Sequence, residues 1–487
     1  MIVHWMTVAV DTREDFTLEN FRRVALGGES VRIGPRAIER MESTRASFMA
    51  LLDSDRTAFI YGTTSRPGIE VGKAVAPNEQ RGYVQALRGS WSPSFGGGGV
   101  LEERVARGIV FARLANFVEG NAKTRPVIAE RIAAMLDGPL PTLPLGGHVA
   151  AGEILTLAPL MNAVEGDFEE GETMALVNGS PCAAALAADV ALAARQRLRA
   201  AQRVFALSVE AFGAPLDAYD EALEALWEDE HEVAALRGLR AGLEGAVDTG
   251  RLDHQAPVSY RILPRVLGQA HRAVSAIEHA ASVSLRSVTD NPVYIPPDER
   301  HPLGRAISTG GYHNGIAAPA MSALSAAWAD LILLAERHVT AMHVGATSEL
   351  PPLLERPGGG GGKTNLLGWV AGSFLEDART AASATLLPAG VGDAQNDVGA
   401  PTFLAYRKER FVADCLDSAL ALLAASASQA LWATDRSPAP PLRVLLERVR
   451  EHFPPVDDPS ARRIGEELGR LAEVFGAAAR TGAEDLA

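Results

Sequence analysis

Three residues far apart in the chain have side chains suited to acid–base chemistry or carboxylate binding, and each also has an ordinary structural interpretation. Tyr61 stands before Gly62. Its phenol, with an ordinary pKa of about 10, removes a proton only where neighbours stabilise its anion, and the alternative is a packed turn tyrosine. Asn178 precedes Gly179, a pair that also marks turns. Arg261 offers a planar, two-pronged donor that suits a carboxylate, or else a salt bridge between helices.

Long runs rich in alanine and leucine must supply the frame that positions these residues. Their spacing predicts helices at residues 181–212, 263–288, 316–343, 366–387 and 404–434. Several exceed the usual globular length, which favours a bundle covered by neighbouring helices or subunits. The sequence therefore predicts a mainly α protein that forms one continuous unit. A mixed N-terminal portion, residues 1–165, carries much of the chemistry, and a helical bundle portion, residues 166–487, follows it.

Composition and charge exclude several classes of protein. The 487 residues carry a net charge of -14 at pH 7, whereas a nucleic-acid surface needs clustered lysine and arginine. Cys182 and Cys415 are too few for a disulfide framework and favour a reducing compartment. The first residues have no apolar core of signal-peptide length, and we find no run of about 18 apolar residues that would span a membrane. We therefore expect a cytoplasmic protein without a nucleic-acid or membrane partner.

Eight short segments resemble, in the right order, the motifs of one enzyme family. They are Tyr61-Gly62-Thr63-Thr64, Arg125-Pro126, His148 to Ile154, Ala175 to Ser180, Gln255 to Arg261, Thr289 to Pro292, Ser308 to Gly315 and Gln395 to Val398. The family is that of the aromatic amino acid ammonia-lyases, which includes the histidine and phenylalanine lyases and related aminomutases. Because the resemblance covers nearly the whole length, it implies a histidine/phenylalanine ammonia-lyase-like fold.

The resemblance also implies roles for particular residues. Tyr61 lies where the family has the tyrosine that removes the substrate β-proton. Asn178 matches the asparagine that hydrogen-bonds the substrate and the prosthetic group, and Arg261 matches the arginine that grips the substrate carboxylate. Tyr312 takes an aromatic position of the family, as a catalytic residue or as simple pocket wall.

One position departs from the family in a way that changes the expected chemistry. In the family an Ala-Ser-Gly triad cyclises into an electrophilic prosthetic group, methylidene-imidazolone (MIO), and the serine hydroxyl is lost as water. Here the triad reads Ala150, Ala151, Gly152, and alanine has no leaving group, so we expect no MIO, no other cofactor and no metal. Glu153 and Ile154 also replace the Asp-Leu that follows the triad. Such scattered changes favour natural divergence over a laboratory substitution.

Four further positions bear on the substrate that the pocket takes. Val258 replaces the family's second tyrosine and removes a hydroxyl. Ser90 and Trp91 occupy the pair with which the family selects the substrate ring, where histidine lyases carry Ser-His, and an indole cannot accept a hydrogen bond. Asn396 is an amide where histidine lyases carry glutamate and phenylalanine lyases carry an amide. These residues indicate a hydrophobic or aromatic acid as substrate instead of histidine.

Three functions remain open from the sequence. The first is an MIO-independent lyase or isomerase of specialised metabolism that performs an elimination with a better leaving group, an isomerisation or a cyclisation. The second is a catalytically inactive binding or scaffold protein. The third is an MIO-dependent ammonia-lyase or aminomutase whose natural sequence has serine at residue 151. Retention of Tyr61, Asn178 and Arg261 favours the first, because an idle pocket has no physical reason to keep them.

Assembly of the chain with itself is also expected. The alanine-rich helices offer more apolar surface than one subunit can cover. The resemblance implies a homotetramer around a shared helical core, with active sites built from more than one chain. We expect the central bundle to use the segments near residues 183–212, 263–288 and 316–343. The expected partners are therefore further copies of the chain and a small molecule that carries a carboxylate.

Overall fold

Helices account for most of the structure, so the predicted mainly α fold is confirmed. The structure is a computed structural model. It describes residues 7–90, 97–146, 150–344, 347–356, 363–390, 395–457 and 462–482. Trp91, predicted to contact substrate, and His148 and Val149, which belong to one of the family-like segments, lie outside the described residues.

The α-helices differ widely in length, and the longest carry the alanine-rich runs. In chain order they are Leu18–Ala25, Pro35–Ser54, Gln80–Ser90, Glu103–Val118, Pro126–Ala134, Ile154–Ala163, Glu172–Val177, Pro181–Phe212, Ala222–Trp227, Glu230–Gly242, Val258–Arg261, Leu263–Arg286, Ala317–His343, Leu367–Ala381, Thr402–Ala433, Arg443–His452 and Ile464–Thr481. Short 3-10 helices lie at Arg13–Asp15, Gly68–Glu70, Met135–Asp137, Asp217–Tyr219, Pro352–Leu354, Lys363–Leu366 and Pro440–Leu442.

Four of the five predicted long helices form with bounds within two residues of the prediction, at Pro181–Phe212, Leu263–Arg286, Ala317–His343 and Thr402–Ala433. The helix predicted at residues 366–387 is shorter and ends at Ala381. Leu386 and Leu387, which extended that prediction, are 78% and 62% exposed. Their apolar side chains therefore have no neighbouring surface that would stabilise a longer helix.

The described strands form three small two-stranded sheets. Thr7–Val10 pairs in parallel with Ser30–Ile33, Gly97–Val100 pairs antiparallel with Pro144–Gly146, and Val293–Ile295 pairs antiparallel with Arg305–Ile307. In the first sheet Thr7 lies opposite Ser30, and in the last Tyr294 lies opposite Ala306. Such short pairs do not form a core of their own, so their role is to brace the loops between helices.

The chain divides into two compact units, each made of three segments. The first unit comprises Met1–Asp189, Glu278–Pro319 and Thr385–Tyr406. The second comprises Val190–Ile277, Ala320–Ala384 and Arg407–Ala487. All three sheets belong to the first unit. The sequence-based boundary near residue 165 remains a prediction about domains.

Helix Glu103–Val118 lies in the core of the first unit. From Val105 to Val118 all its residues are buried, so the helix is covered on every side instead of having one face in solvent. The Phe111 ring lies 4.8 Å from the Phe16 ring and 6.4 Å from the Phe21 ring. Arg113, on the same helix, has no exposed surface. A charge in such a place needs close polar partners.

An aromatic stack lies in the core of the second unit. The Tyr260 ring lies 3.6 Å from the His338 ring and 4.4 Å from the Phe212 ring, in stacked geometry in both cases. The Tyr219 hydroxyl donates a hydrogen bond of 2.9 Å to the Tyr260 carbonyl oxygen. These contacts fix the short helix Val258–Arg261, which carries two of the predicted site residues.

Three helical segments in the described part of the chain are long and apolar enough, by length and composition alone, to cross a membrane. The prediction that no segment is apolar enough to do so is therefore wrong. Segments Glu172–Phe212, Ala317–His343 and Thr402–Ala433 contain stretches with a mean hydropathy of 1.4, 1.5 and 1.4. Small alanines raise these averages without forming the unbroken apolar run that the sequence analysis looked for. Within the protein 94%, 67% and 83% of these stretches are buried, so packing already covers most of their apolar surface.

Candidate active site

A cavity of about 400 Å³ in the first unit gathers five of the residues singled out from the sequence. Tyr61, Ala151, Asn178, Tyr312 and Asn396 line it, although they come from distant parts of the chain. The other residues of the lining are Phe59, Gly68, Val71, Ile154, Asn291, Ser308, Thr309, Gly310 and Gln395. All of these side chains are uncharged, so the described lining carries neither a carboxylate nor a cation.

A tight turn holds Tyr61 at the cavity. Just before it, the buried side chain of Ile60 packs with Phe48 in the core of the first unit. The backbone N–H groups of residues 63, 64 and 65 all donate to the Ile60 carbonyl oxygen. Gly62 has a φ of +64°, and a Cβ there would lie 2.2 Å from Met174 Cγ. Only glycine fits this position, which explains the Tyr61-Gly62 pair.

The hydroxyl oxygen of Tyr61 accepts a hydrogen bond from a backbone amide. The Gly68 N–H donates to it at 3.0 Å, from the start of the 3-10 helix Gly68–Glu70. Gly68 itself has a φ of +61°. A donor aimed at a phenol oxygen stabilises negative charge there, so this amide supplies the support that a tyrosine base needs. Gly68 could not be identified from the sequence, because only the folded turn brings it to Tyr61.

Asn178 is held with its amide in a defined orientation. It is 6% exposed and lies at the C-terminal end of helix Glu172–Val177. Its Nδ2 donates to the Asn291 carbonyl oxygen at 2.9 Å, and its Oδ1 accepts from the Gly179 N–H at 3.1 Å. Both ends of the side chain are therefore engaged, and the two asparagines form one wall of the cavity.

A buried ion pair lies behind this wall. Arg113 donates to Asp290 Oδ1 at 2.7 Å and also to the carbonyl oxygens of Ala175 and Asn178. The side chains of the pair are 0% and 1% exposed, and burial raises the pKa of Asp290 while the guanidinium opposes that rise. The pair ties the Asn178 turn to the segment that contains Asn291. An arginine within the apolar run Val110 to Leu114 was the sequence signal that could have revealed it.

The alanine triad turns sharply beside the cavity. Ala151 lines the cavity, and the Ala150 carbonyl oxygen accepts from the Ala400 N–H at 3.0 Å. Gly152 has a φ of +76°, and a Cβ there would lie 3.2 Å from the Tyr312 ring. The turn therefore keeps the glycine of the triad for a backbone reason, and it packs closely on Tyr312.

Glu153, directly after the triad, anchors this turn to a helix. Its two carboxylate oxygens accept the N–H groups of Cys182 at 2.6 Å and Ala183 at 2.7 Å, in the first turn of helix Pro181–Phe212. Such N–H groups have no partner within the helix and favour a carboxylate. Burial acts against this preference and raises the pKa of Glu153 to about 7. From the sequence, Glu153 was apparent only as a departure from the family, not as an anchor of this turn.

Three residues that were predicted to contact the substrate do not line the cavity. Ser90 is exposed at the end of helix Gln80–Ser90, where its hydroxyl donates to the Leu87 carbonyl oxygen at 2.8 Å, and it does not line the cavity. Arg261 and Val258 belong to the second unit. Arg261 is exposed and donates through Nε to the Ala256 carbonyl oxygen at 3.0 Å. Among the described residues no group of three or more His, Cys, Asp or Glu side chains could hold a metal ion.

Comparison of the sequence with known proteins points to one family. The profile described as aromatic amino acid lyase matches residues 16–170 and 167–451. The chain is 27% identical to the histidine ammonia-lyase of Symbiobacterium thermophilum, over 96% of each protein. It is also 27% identical to the tyrosine ammonia-lyase of Cereibacter sphaeroides, over 95% of this chain and 97% of that protein.

Solved structures share the fold at lower identity. Ergothionase from Treponema denticola, an ergothioneine-degrading enzyme solved with desmethyl-ergothioneine sulfonic acid, matches with a TM-score of 0.87 and 17% identity, over 98% of this chain and 99% of that one. Tyrosine aminomutase from Streptomyces globisporus matches with a TM-score of 0.85 and 22% identity, over 98% of both chains. Histidine ammonia-lyase from Trypanosoma cruzi matches with a TM-score of 0.83 and 20% identity, over 98% of this chain and 94% of that one. The predicted histidine/phenylalanine ammonia-lyase-like fold is confirmed.

Proposed function

The chain belongs to the aromatic amino acid lyase family, and on that premise we propose that it is an enzyme of this family that works without MIO. It acts on a hydrophobic or aromatic small molecule with a carboxylate, by elimination, isomerisation or cyclisation, and Tyr61 is its base. The observation that carries the proposal is the 3.0 Å hydrogen bond from the Gly68 N–H to the Tyr61 hydroxyl, in the cavity that Ala151 lines. A phenol with a hydrogen-bond donor at its oxygen thus lines the same cavity as the position where the family's electrophile would form.

The residues at the triad do not fit formation of MIO. Its exocyclic methylene requires a group on Cβ that leaves as water, and the Cβ of Ala151 carries only hydrogens. The turn itself is tight, and Gly152 has a positive φ of +76°. The proposed reaction therefore contains no step on that prosthetic group. A serine codon for residue 151 in the natural gene would instead support the MIO-dependent alternative.

In the proposed elimination three side chains have separate tasks. Arg261, supplied by another copy of the chain in the homotetramer that the resemblance implies, binds the substrate carboxylate through up to two charge-assisted hydrogen bonds, worth roughly 1.5–3 kcal/mol each when shielded from water. The Tyr61 oxygen takes a proton from carbon, and the electron pair of that C–H bond forms the new double bond. The leaving group departs with the electron pair of its own bond to carbon. Asn178, fixed by Asn291 and Gly179, shapes the wall beside the reacting atoms.

The cavity favours an apolar or aromatic substrate body. Phe59, Val71, Ile154 and Tyr312 are among its lining residues, and they offer apolar surface and ring faces. This preference agrees with the replacement of the family's second tyrosine by Val258.

Steady-state turnover with a panel of carboxylates tests the proposal. The panel should contain histidine, phenylalanine and tyrosine, aromatic acids with better leaving groups than ammonia, and ergothioneine, which the enzyme of one similar structure degrades. We expect no ammonia from the first three and turnover of at least one of the others. Steady ammonia release from the natural amino acids would contradict the MIO-free mechanism. Binding of ligands without turnover of any would favour an inactive binding protein.

We also propose a homotetramer in the cytoplasm. Support comes from exposed apolar side chains on helix Leu367–Ala381 of the second unit, where Trp369 is 79% and Val370 is 43% exposed. Cys182 and Cys415 are buried free thiols, as a reducing compartment would allow. Light scattering at micromolar concentration should give four times the mass of one chain, and a monomer would contradict the assembly.

A further inference from the structure

We propose that Lys123 is a positioning residue of the cavity in the first unit: its ammonium fixes the wall formed by Asn178 and Asn291 and supplies positive charge that favours an anion beside that wall. Lys123 itself does not line the cavity, and no step of the proposed reaction uses it. The inference rests on the proposed function, because it concerns how the same cavity holds a carboxylate.

Lys123 stands where a lysine is unfavourable on two counts. Its backbone has a φ of +55°, in the left-handed region that favours glycine. Its side chain has no exposed surface, although lysines are almost never fully buried. The turn is held by its backbone, since the Lys123 N–H donates to the Gly120 carbonyl oxygen and its own carbonyl oxygen accepts from Arg45, both at 2.9 Å. Such outliers cluster at functional sites.

The lysine ammonium contacts the segment behind the cavity wall. Lys123 Nζ donates to the Pro292 carbonyl oxygen at 2.8 Å. The residue before this proline is Asn291, whose carbonyl oxygen accepts from Asn178 Nδ2 at 2.9 Å. Gly171 leaves room for the lysine stem, since a Cβ there would lie 3.3 Å from Lys123 Cε. Both asparagines line the cavity, so one buried cation holds the backbone that orients them.

The charges buried behind the wall do not cancel. Asp290 is paired with Arg113 at 2.7 Å, whereas Lys123 donates to a neutral carbonyl oxygen. Burial lowers the pKa of Lys123 to about 8, Asp290 opposes this decrease, and Arg45 and Arg113 add to it. The ammonium is therefore charged at neutral pH, and two cations share the carboxylate of Asp290.

The carboxylates on the segment around Gly171 have arginine partners of their own. The pairs are Glu169 with Arg45 at 3.2 Å, Glu170 with Arg56 at 3.6 Å and Glu172 with Arg125 at 2.7 Å. An excess of positive charge thus remains behind the wall, and the described lining of the cavity is uncharged. An anion in the cavity interacts with this charge across a medium of low effective dielectric constant, whereas a neutral ligand gains little from it.

Calorimetric titration of the full-length protein between pH 6 and pH 9.5 tests the inference. The probes are hydrocinnamate, an aromatic acid without an amine, and its neutral amide. Hydrocinnamate affinity should be constant near neutral pH and fall about tenfold between about pH 8 and pH 9, as Lys123 loses its proton. The affinity for the amide should not change. A flat profile for the acid, or no measurable binding of it at millimolar concentration and pH 7, would overturn the inference.

Lys123→Met assigns the pH dependence to this side chain. The variant keeps an unbranched side chain without charge, so at pH 7 it should bind hydrocinnamate about tenfold more weakly than the parent and show no fall near pH 8. Lys408→Met, at a lysine that donates to Ser383 Oγ at 2.9 Å in the second unit, is the control and should leave the profile unchanged. Parallel profiles for Lys123→Met and the parent would show that Lys123 acts through packing alone, and the inference would be wrong.

Glu153 also titrates in the first unit, because burial raises its pKa to about 7. In Glu153→Gln protein the fall in hydrocinnamate affinity near pH 8 should persist. If Lys123→Met does not fold, this variant decides the question. A fall for the acid but not for the amide would support the role of Lys123, and equal profiles for the two probes would contradict it.

Turnover separates failure of this inference from failure of the proposed function. The expected pH dependence of binding without turnover of any carboxylate would leave the role of Lys123 standing and contradict the proposed enzyme. Turnover of a carboxylate with the same pH profile in Lys123→Met and in the parent would do the reverse. We expect turnover by the parent protein, and a higher KM at pH 7 in Lys123→Met.

Discussion

Two regions of this protein place a tyrosine phenol beside polar groups, and they differ in whether a substrate can reach the phenol. In the first unit Tyr61 is half-buried, lines the cavity and accepts a hydrogen bond from the Gly68 amide. In the second unit the Tyr260 ring stacks on His338, and His338 Nδ1 lies 3.0 Å from the Ser208 hydroxyl oxygen. By residue type alone a Ser–His pair is the stronger candidate for nucleophilic chemistry.

Burial decides between the two regions. Tyr260, Ser208 and His338 have no exposed surface, so no substrate can reach them. Burial also lowers the pKa of His338 to about 3 and raises the pKa of Tyr260 far above its ordinary value. The cluster therefore stays neutral and stabilises the fold, whereas Tyr61 combines an open side with a donor for its anion. A reactive side chain can act in catalysis only where a substrate can reach it and neighbouring groups stabilise its charged form.

The largest effect should come from removal of the Tyr61 hydroxyl. With a substrate in hand, Tyr61→Phe should lower turnover by about a hundredfold or more, the usual scale for loss of a general base. The variant should keep the stability of the parent, because its ring still fills the turn. Steady-state kinetics and thermal unfolding measure the two quantities. A fully active Tyr61→Phe protein would show that tyrosine is not the base.

Ser208→Ala in the second unit is the matched control. It should leave turnover within about twofold, because the hydroxyl never meets substrate. It should cost about 1–3 kcal/mol of unfolding free energy, because one nitrogen of His338 loses its hydrogen-bond partner in the core. A folded Ser208→Ala protein without activity would mean that the buried cluster takes part in the reaction.

The next effect concerns Arg261 and should appear in binding. Arg261→Ala should weaken substrate binding by roughly tenfold or more through loss of charge-assisted hydrogen bonds to the carboxylate, with a smaller effect on turnover. Arg265→Ala, four residues later, is the control. That arginine is half-exposed and pairs with Glu232 at 2.8 Å, and its loss should leave binding unchanged. Equal effects of the two substitutions would remove Arg261 from the proposed mechanism.

A smaller effect, on stability, should have opposite pH dependence in the two units. Burial raises the pKa of Glu153 from 4.5 to about 7, so its contribution to stability is present below pH 4.5 and is lost as pH rises to 7. Burial lowers the pKa of His338 from 6.5 to about 3, so its contribution is present above pH 6.5 and is lost as pH falls to 3. Each slope is at most about 1.4 kcal/mol per pH unit.

Denaturant unfolding between pH 3 and pH 8 measures both slopes. Glu153→Gln should flatten the profile between pH 4.5 and 7, and His338→Gln should flatten it below pH 6.5. If both substitutions lower stability equally at every pH, the two groups act through packing alone and the pKa shifts play no part.

Part of the cavity lining could be predicted from the sequence, because each of its predicted residues belongs to a short local motif. The resemblance singled out Tyr61, Asn178, Tyr312, Ala151 and Asn396, and the structure places all five at one cavity. Helix bounds were also close, since alanine-rich periodicity is a local signal. What the sequence could not supply depends on the folded chain.

Three features of the site depend on the folded chain. They are the amide that donates to the Tyr61 hydroxyl, the ion pair of Arg113 and the contact by which Glu153 anchors the alanine triad. The Gly68 amide reaches Tyr61 only through the turn between them. Arg113 meets Asp290 across 177 residues of chain, and Glu153 meets the N–H groups of a helix that begins far beyond it. Ser90 shows the opposite case, because it lies in a family motif position but does not line the cavity.

The intact mass of the purified protein that shows turnover tests the central claim most directly. With Ala151 in an ordinary peptide chain, the mass should equal that of the sequence with no loss of water, and the near-UV absorbance of MIO should be missing. A mass that matches serine at residue 151 less two water molecules, one lost on ring closure and one from the side chain, would show that the backbone at residues 150–152 has cyclised and dehydrated, and it would contradict catalysis without MIO.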